Sequence, residues 1–319
     1  MKVYYSLAEF PKLENAVVTQ GTFDGVHAAH KVIISQLKDL AKSTNGQTVL
    51  ITFDPHPRTI LYPDDHGLHL LSTLDEKIEL LREQDIDHLL VLPFTVEFSR
   101  LSSLQFIRDI IVNGIHTKYL VIGYNHRFGK NREGSFTHLL EYGPAYGFEV
   151  IEIAEQDIDK VSVSSTRIRT ALDEGDVAQA SRYLGRFYSL AGIVIHGREM
   201  GKTLGYPTAN IQVSNPIKLI PADGVYAVFV WVQNKKYGGM LNIGNNPTIP
   251  GKGRSIEVNI FNFNETIYNQ SIRIEFVDKL RDELKFNTLE DLKTQLHKDK
   301  LHALKSIDNL SLRTNNEVG

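Results

Sequence analysis

Gly21-Thr22-Phe23-Asp24-Gly25-Val26-His27-Ala28-Ala29-His30 decides the fold of the first half of the chain. Ahead of it, Ala16-Val17-Val18-Thr19-Gln20 reads as a short buried strand. Behind it, from about Ala28 to Ala41, Val32, Ile33 and Leu37 fall on one helical face. A strand that passes through two glycines into a helix marks the crevice where parallel sheets bind ligands. Gly21 and Gly25 let the backbone turn and come close to a ligand. His27 and His30 are three apart, so the first helical turn puts them on one face. That helix start already attracts anions through its free N–H groups and its dipole. The pattern predicts a phosphate clamp.

Working outward, buried strands are predicted at Thr48–Phe53, Leu89–Leu92, Tyr119–Gly123 and Phe148–Ile153. Helical segments at about 74–84 and 102–113 separate them. This alternation predicts an α/β domain with a parallel, Rossmann-like sheet. Helix-like Ser165–Ala171 and Val177–Tyr183 close it. Past about residue 184 the strands follow one another without helices: Ala191–His196, Val225–Gln233, Gly238–Ile243, Ser255–Phe261 and Ser271–Asp278. Turns rich in Gly, Asn and Pro divide them, as in a small antiparallel β-barrel or sandwich. Leu289–His297 reads as a terminal helix capped by Thr288, and residues 311–319 as a loose polar tail. The expected domains are therefore 1–184 and 185–319.

Composition agrees with two globular domains. The chain has 319 residues, 42% hydrophobic and 23% charged, enough apolar material for two cores. Its net charge of −3 argues against a nucleic-acid partner. With no cysteine, disulfides, thiolate nucleophiles and cysteine-bound metals are excluded. Neither a leader segment nor a membrane-length apolar run is visible, so the expectation is a cytoplasmic protein without membrane contact. His66 and His69 could suggest a metal pair, but no third ligand is evident, and a solvated pair is preferred.

The histidine turn resembles the nucleotidylyltransferase superfamily, whose signature is His-x-Gly-His. Val163-Ser164-Ser165-Thr166-Arg167-Ile168-Arg169 looks like that superfamily's second ATP motif. Ser165 and Thr166 can donate to phosphate, and Arg169 supplies a permanent charge. Phe53-Asp54-Pro55-His56-Pro57 and Gly123-Tyr124-Asn125-His126-Arg127-Phe128-Gly129 resemble segments of its flavin branch. There are departures: Ala29 stands where the signature has Gly, Asn125 where Asp is common, and His126 where Phe is usual. The resemblance implies adenylylation of FMN by ATP, with release of pyrophosphate. His27 and His30 would hold the β- and γ-phosphates, and Gly21, Phe23, Asp24, Asn125, Ser165, Thr166 and Arg169 would bind the nucleotides.

The second half has its own resemblance. Gly201-Lys202-Thr203 imitates the end of a phosphate-binding P-loop, but Gly197 is one residue too near and no strand–loop–helix context follows. Pro207-Thr208-Ala209-Asn210 is instead similar to the signature of riboflavin kinase, a small β-barrel enzyme. The likeness continues through Asn242-Ile243-Gly244, Ser255-Ile256-Glu257-Val258-Asn259 and Arg281-Asp282-Glu283. It implies Thr208 and Asn210 as Mg²⁺ ligands, Gly201, Lys202, Gly205 and Pro207 around ATP, and Arg281 on the flavin side. Glu257 would be the base that takes a proton from the ribityl hydroxyl, with Glu265, Glu275 and Glu283 as competitors. Together the two resemblances have the order of the bifunctional bacterial FAD synthetases, with riboflavin, FMN and ATP as substrates and FMN and FAD as products. Other substrates for the first domain, phosphopantetheine or nicotinate mononucleotide, fit the attached barrel poorly. A flavin-binding regulator without adenylylation is the non-enzymatic alternative.

Overall fold

The computed structural model describes residues 1–64, 67–123, 127–153, 163–197, 200–245 and 254–316. Contacts divide the chain into two compact units, Met1–Ser165 and Thr166–Gly319.

The first unit is built on six parallel strands. These are β1 (Lys2–Tyr4), β2 (Ala16–Gln20), β3 (Gln47–Asp54), β4 (His88–Pro93), β5 (Thr117–Gly123) and β6 (Glu149–Ile153), in the spatial order β1-β4-β3-β2-β5-β6. From β2 the chain steps outward one way through β3 and β4, and the other way through β5 and β6. The order therefore reverses between β2 and β5, and their carboxyl ends flank the crevice where such sheets bind ligands. Every residue of β2 is buried, as a central strand covered on both faces requires. Helix α1 (Ala28–Ser43) buries Ala29, Ile34, Leu37 and Ala41, the last two in one cluster with Val17 of β2. Short α2 (Pro57–Leu61) follows β3, and α3 (Leu74–Arg82) begins with a reciprocal cap between Thr73 and Glu76. Ile78 and Leu81 of α3 share one core cluster with Phe23, Val26, Ile34 and Leu50.

Among the elements that escape sequence reading are an edge strand and a helix. Edge strand β1 has three residues, too few for periodicity to show. The helix Phe136–Tyr146 carries Pro144 inside it and mixes aromatic with small residues. The stretch predicted as a single helix at 102–113 is a short α-turn, Ser103–Gln105, continued by the π-wound Phe106–Val112.

The second unit is a closed antiparallel barrel. Helices α4 (Ser165–Asp173) and α5 (Val177–Leu184) lead into it, with the Leu172 carbonyl accepting the Ala222 N–H at 2.9 Å. Strands β7 (Tyr188–Ile195), β8 (Ala209–Gln212), β9 (Gly224–Val232), β10 (Lys235–Asn245), β11 (Arg254–Ile260) and β12 (Ser271–Arg281) close in the order β10-β11-β8-β7-β12-β9. Tyr226, Val228, Val230, Leu241, Ile243, Val258, Ile274 and Phe276 fill the interior. The expected terminal helix is longer than its sequence reading. It runs Leu289–Asn316 rather than ending at His297, so residues 311–316 are helical rather than loose. Leu296, Ala303, Leu304, Ile307 and Leu310 extend the apolar stripe and pack on the barrel's outer face with Ala227, Met240 and Phe261. Thr288 caps it as expected, accepting the Asp291 N–H at 3.1 Å.

Candidate active sites

The first site is the turn that joins β2 to α1. Phe23 and Val26 take positive φ, +46° and +41°, on either side of Gly25 at +82°. Such φ values cost a bulky or β-branched residue on the order of 1–3 kcal/mol, and they gather where a turn is shaped for a ligand. Burial of both side chains in the core offsets the cost. Gly21 leaves little room for a side chain, since a Cβ would stand 3.0 Å from the Phe23 ring. Asp24 turns its carboxylate into the protein, where it accepts the N–H groups of Leu71 (3.2 Å) and Ser72 (3.0 Å). The Ser72 hydroxyl accepts the Gly25 N–H at 3.0 Å, and Ser165 donates its hydroxyl to the Asp24 carbonyl at 3.1 Å. Thus Asp24 fixes the turn, and Ser165 opens its helix beside it.

His27 is the residue before the helix, and His30 lies in its first turn. Their rings stack 3.7 Å apart and 15° from parallel, and His30 also packs on Phe23 at 4.8 Å. The His27 backbone N–H donates to His30 Nδ1 at 3.3 Å, so neutral His30 carries its proton on Nε2. Burial first, then the neighbouring charges of His27 and Lys77, hold the His30 pKa well below the ordinary imidazole range. The pair thus offers N–H donors at a helix start without placing two full positive charges face to face.

The remaining predicted residues of this half divide by position. Thr166 is exposed and Arg169 half-buried in α4, both within the second compact unit. Asn125 and His126 lie outside the described residues, as does His66 of the histidine pair considered for a metal. His56 caps α2 by accepting the Arg58 N–H at 3.2 Å. Phe128 points into the core against Phe106, and its backbone pairs with Gly134. A Cβ on Gly134 would stand 2.7 Å from the Phe128 ring.

The second site is set by strand register. Glu257 on β11 pairs with Asn210 on β8 and with Asn242 on β10. Its neighbours Ile256 and Val258 face the barrel interior, so Glu257 faces outward. The Thr208 hydroxyl donates to Glu257 Oε2 at 3.4 Å. Asn259, two residues on and on the same face, donates its amide to the Pro207 carbonyl at 2.7 Å. The glycines before this loop admit it closely: a Cβ on Gly197 would stand 1.9 Å from Asn210 Nδ2, and one on Gly201 2.3 Å from the Tyr206 carbonyl oxygen. Gly201 and Lys202 belong to one helical turn, Met200–Thr203, and Gly205 ends it at φ +83°.

The structure also separates the competing carboxylates. Glu275 is tied to Lys236 (3.2 Å) and Arg273 (3.3 Å). Glu283 lies against Gly244, where a Cβ would stand 1.7 Å from its Oε1. Glu265 is exposed on the segment after β11. Arg281 is committed to an ion pair with Asp299, Nη2 to Oδ2 at 2.7 Å and Nε to Oδ1 at 3.0 Å. Asp299 is 1% exposed and is also held by Gln295 at 2.8 Å.

Sequence reasoning missed Lys77, Asn259 and Asp299. The signal for Lys77 was a charge on the apolar face Leu74, Ile78 and Leu81; for Asn259 it was the outward parity shared with Glu257. Asp299 gave none, because its partner is 18 residues away.

A parallel sheet with a histidine pair at its strand-order reversal, and a barrel with a carboxylate among hydroxyl and amide groups, define a class: two-domain enzymes of nucleotidyl and phosphoryl transfer. The comparisons narrow it. The FAD synthetase family model matches residues 9–167, and the riboflavin kinase model residues 184–307. The chain is 38% identical over 304 residues to a bifunctional riboflavin kinase/FMN adenylyltransferase of Buchnera aphidicola, covering 94% of this chain and 96% of that one. It is 40% identical over 286 residues to the enzyme so named in Listeria monocytogenes, covering 89% and 90%. A crystal structure described as a macrolide-efflux protein from Streptococcus pneumoniae superposes with TM-score 0.82 at 30% identity, covering 94% and 97%. The chain belongs to the bifunctional riboflavin kinase/FMN adenylyltransferase family. Among the described residues no helix is long and apolar enough to cross a membrane.

Proposed function

We propose that this chain phosphorylates riboflavin to FMN and adenylylates FMN to FAD, residues 1–184 serving adenylylation and 185–319 phosphorylation. The observation that carries the reading is the register that sets Glu257 beside Asn210 and Thr208, in one chain with the stacked His27–His30 pair.

In adenylylation, an FMN phosphate oxygen attacks the α-phosphorus of ATP, the bond to the bridging oxygen breaks, and pyrophosphate leaves. Positioning and charge stabilisation dominate such a step. His27 and His30 donate N–H groups to the departing phosphates at the start of α1. Gly21 and Phe23 shape the wall, and Asp24 holds it from behind through Leu71 and Ser72. Ser165, whose hydroxyl donates to the Asp24 carbonyl, adds a nucleotide contact beside the turn.

In phosphorylation, the ribityl hydroxyl attacks the γ-phosphorus of ATP and ADP leaves. Glu257 accepts the hydroxyl proton. The Thr208 hydroxyl and the Asn210 amide oxygen are hard donors suited to Mg²⁺, and their closeness to a carboxylate fits that cation. When bound, the ion would draw negative charge from the transferring phosphates. Asn259 keeps the Pro207–Asn210 segment in place. Gly201, Lys202 and Gly205 lie beside that segment and serve ATP. Arg281, through Asp299, fixes the end of β12, from which Glu283 reaches Gly244. We place the protein in the cytoplasm.

The test is incubation with riboflavin, ATP and Mg²⁺, followed by chromatography of the flavins. FAD supports both activities. FMN alone leaves a kinase with a silent first domain, and neither product overturns the reading.

A further inference from the structure

We propose that Lys77 is a positioning residue of the adenylylation site, a buried ammonium that braces the histidine turn from behind. The proposal rests on the adenylylation reading above.

Lys77 belongs to α3, whose apolar neighbours Ile78 and Leu81 pack in the same cluster as Phe23 and Val26 of the turn. It is only 5% exposed. A lysine at that depth gives up most of its hydration, and proteins seldom accept this without a compensating partner. Among the described residues its ammonium donates to Thr52 Oγ1 at 3.3 Å. The same hydroxyl donates to the Thr22 carbonyl at 3.2 Å, so a two-bond chain runs from the ammonium to the glycine turn. A second tie runs beside it. Asp24 holds Leu71 and Ser72, which lead into the cap of α3. Helix, turn and strand β3 thus close on one buried cation.

Three charged or titratable neighbours act on that cation or feel it. Asp24 and Asp54 favour the ammonium, while burial, the largest influence, disfavours it and lowers the Lys77 pKa. His30 senses Lys77 as a positive neighbour, in addition to its own burial and to His27. The ammonium therefore offsets the Asp24 carboxylate inside a wall that must face polyphosphate. It also adds to the burial and to the His27 charge that hold the His30 pKa down, so that His30 meets ATP as an oriented N–H donor.

The test uses the full chain with Lys77→Gln and Lys77→Arg. The parent is assayed first for FAD formation from FMN and ATP; failure there sinks the functional reading and is distinct from failure of this proposal. In Lys77→Gln, FAD formation should fall at least about tenfold, as small misplacements at such sites do. Riboflavin phosphorylation by the same preparation should be unchanged. Imidazole NMR, with the His30 signal assigned by its loss in His30→Gln, should show His30 titrating at higher pH than in the parent. A purely structural lysine would not move that titration. Lys77→Arg keeps the charge and should keep both the low His30 titration and FAD formation within about threefold of the parent. A folded Lys77→Gln with parental FAD formation or an unmoved His30 titration overturns the proposal. So does a folded Lys77→Arg that loses both properties, which decides the matter if Lys77→Gln does not fold.

Discussion

The imidazoles of His27 and His30 lie face to face, 3.7 Å between centroids, with the His27 backbone N–H on His30 Nδ1. Two charged rings at that distance would repel each other, and burial together with the neighbouring charges of His27 and Lys77 holds the His30 pKa well below the ordinary imidazole range. Replacing both by alanine should lower FAD formation from FMN by at least about 10²-fold, the usual cost of losing preorganised donors to developing charge. Riboflavin phosphorylation in the same protein should stay within about twofold, because separated sites act independently. Separate assays of the two half-reactions decide it, and a parallel loss of both would refute the two-site assignment.

Ala29 stands where the signature has Gly, and its methyl would obstruct a nucleotide only if it faced the crevice. The residue is only 4% exposed, so the methyl packs within the protein beneath α1 rather than in the open crevice. Ala29→Gly should therefore not raise the adenylylation rate. It should destabilise the first unit by about 0.5–1 kcal/mol, the cost of glycine within a helix. Thermal unfolding with a parallel FAD assay checks both parts, and a faster variant would show that the methyl does obstruct the nucleotide.

How far the chain could be read without coordinates depended on whether the signal was local. Strand β2, the turn and α1 were legible because burial, glycine and helical periodicity all fall within about 25 adjacent residues. The nearness of Glu257 to Thr208 was not, since 49 residues separate them and only antiparallel register joins them. For the same reason β8 passed as part of a loop: four residues give no alternation to read, and β11 and β7 define the strand by pairing with it. The far half of the terminal helix was hidden by polar composition, although Ala303, Ile307 and Leu310 hold the stripe that docks on the barrel.

Arg281 was expected near the flavin, yet its guanidinium spans the Asp299 carboxylate with two nitrogens. Removing one partner of a buried pair strands the other. Arg281→Ala should cost about 3 kcal/mol of stability. Arg281→Lys should restore only part of it, because an ammonium cannot reproduce the planar two-point contact. Chemical denaturation of the variants measures this. If Arg281→Ala unfolds like the parent but binds riboflavin weakly, the residue serves the ligand and the ion pair is incidental.

Glu257 carries the sharpest expectation. It faces outward among Asn210, Asn242 and Thr208, while Glu275 is neutralised by two cations and Glu283 is pressed on Gly244. Glu257→Gln keeps the size and the hydrogen-bond acceptor for Thr208 but cannot take a proton at neutral pH. Riboflavin phosphorylation should fall ~10²–10⁴-fold, the range for removing a general base. Binding of riboflavin should weaken far less, since the Pro207–Asn210 segment stays anchored by Asn259. FMN adenylylation should be unaffected, because His27, His30 and the turn that holds them belong to the first compact unit. Steady-state kinetics of both half-reactions on the full-length variant, with riboflavin binding followed by fluorescence, separate the three effects. Phosphorylation within about threefold of the parent, far below that range, would show that Glu257 is not the base. Glu265, exposed on the segment after β11, would then be the next residue to replace.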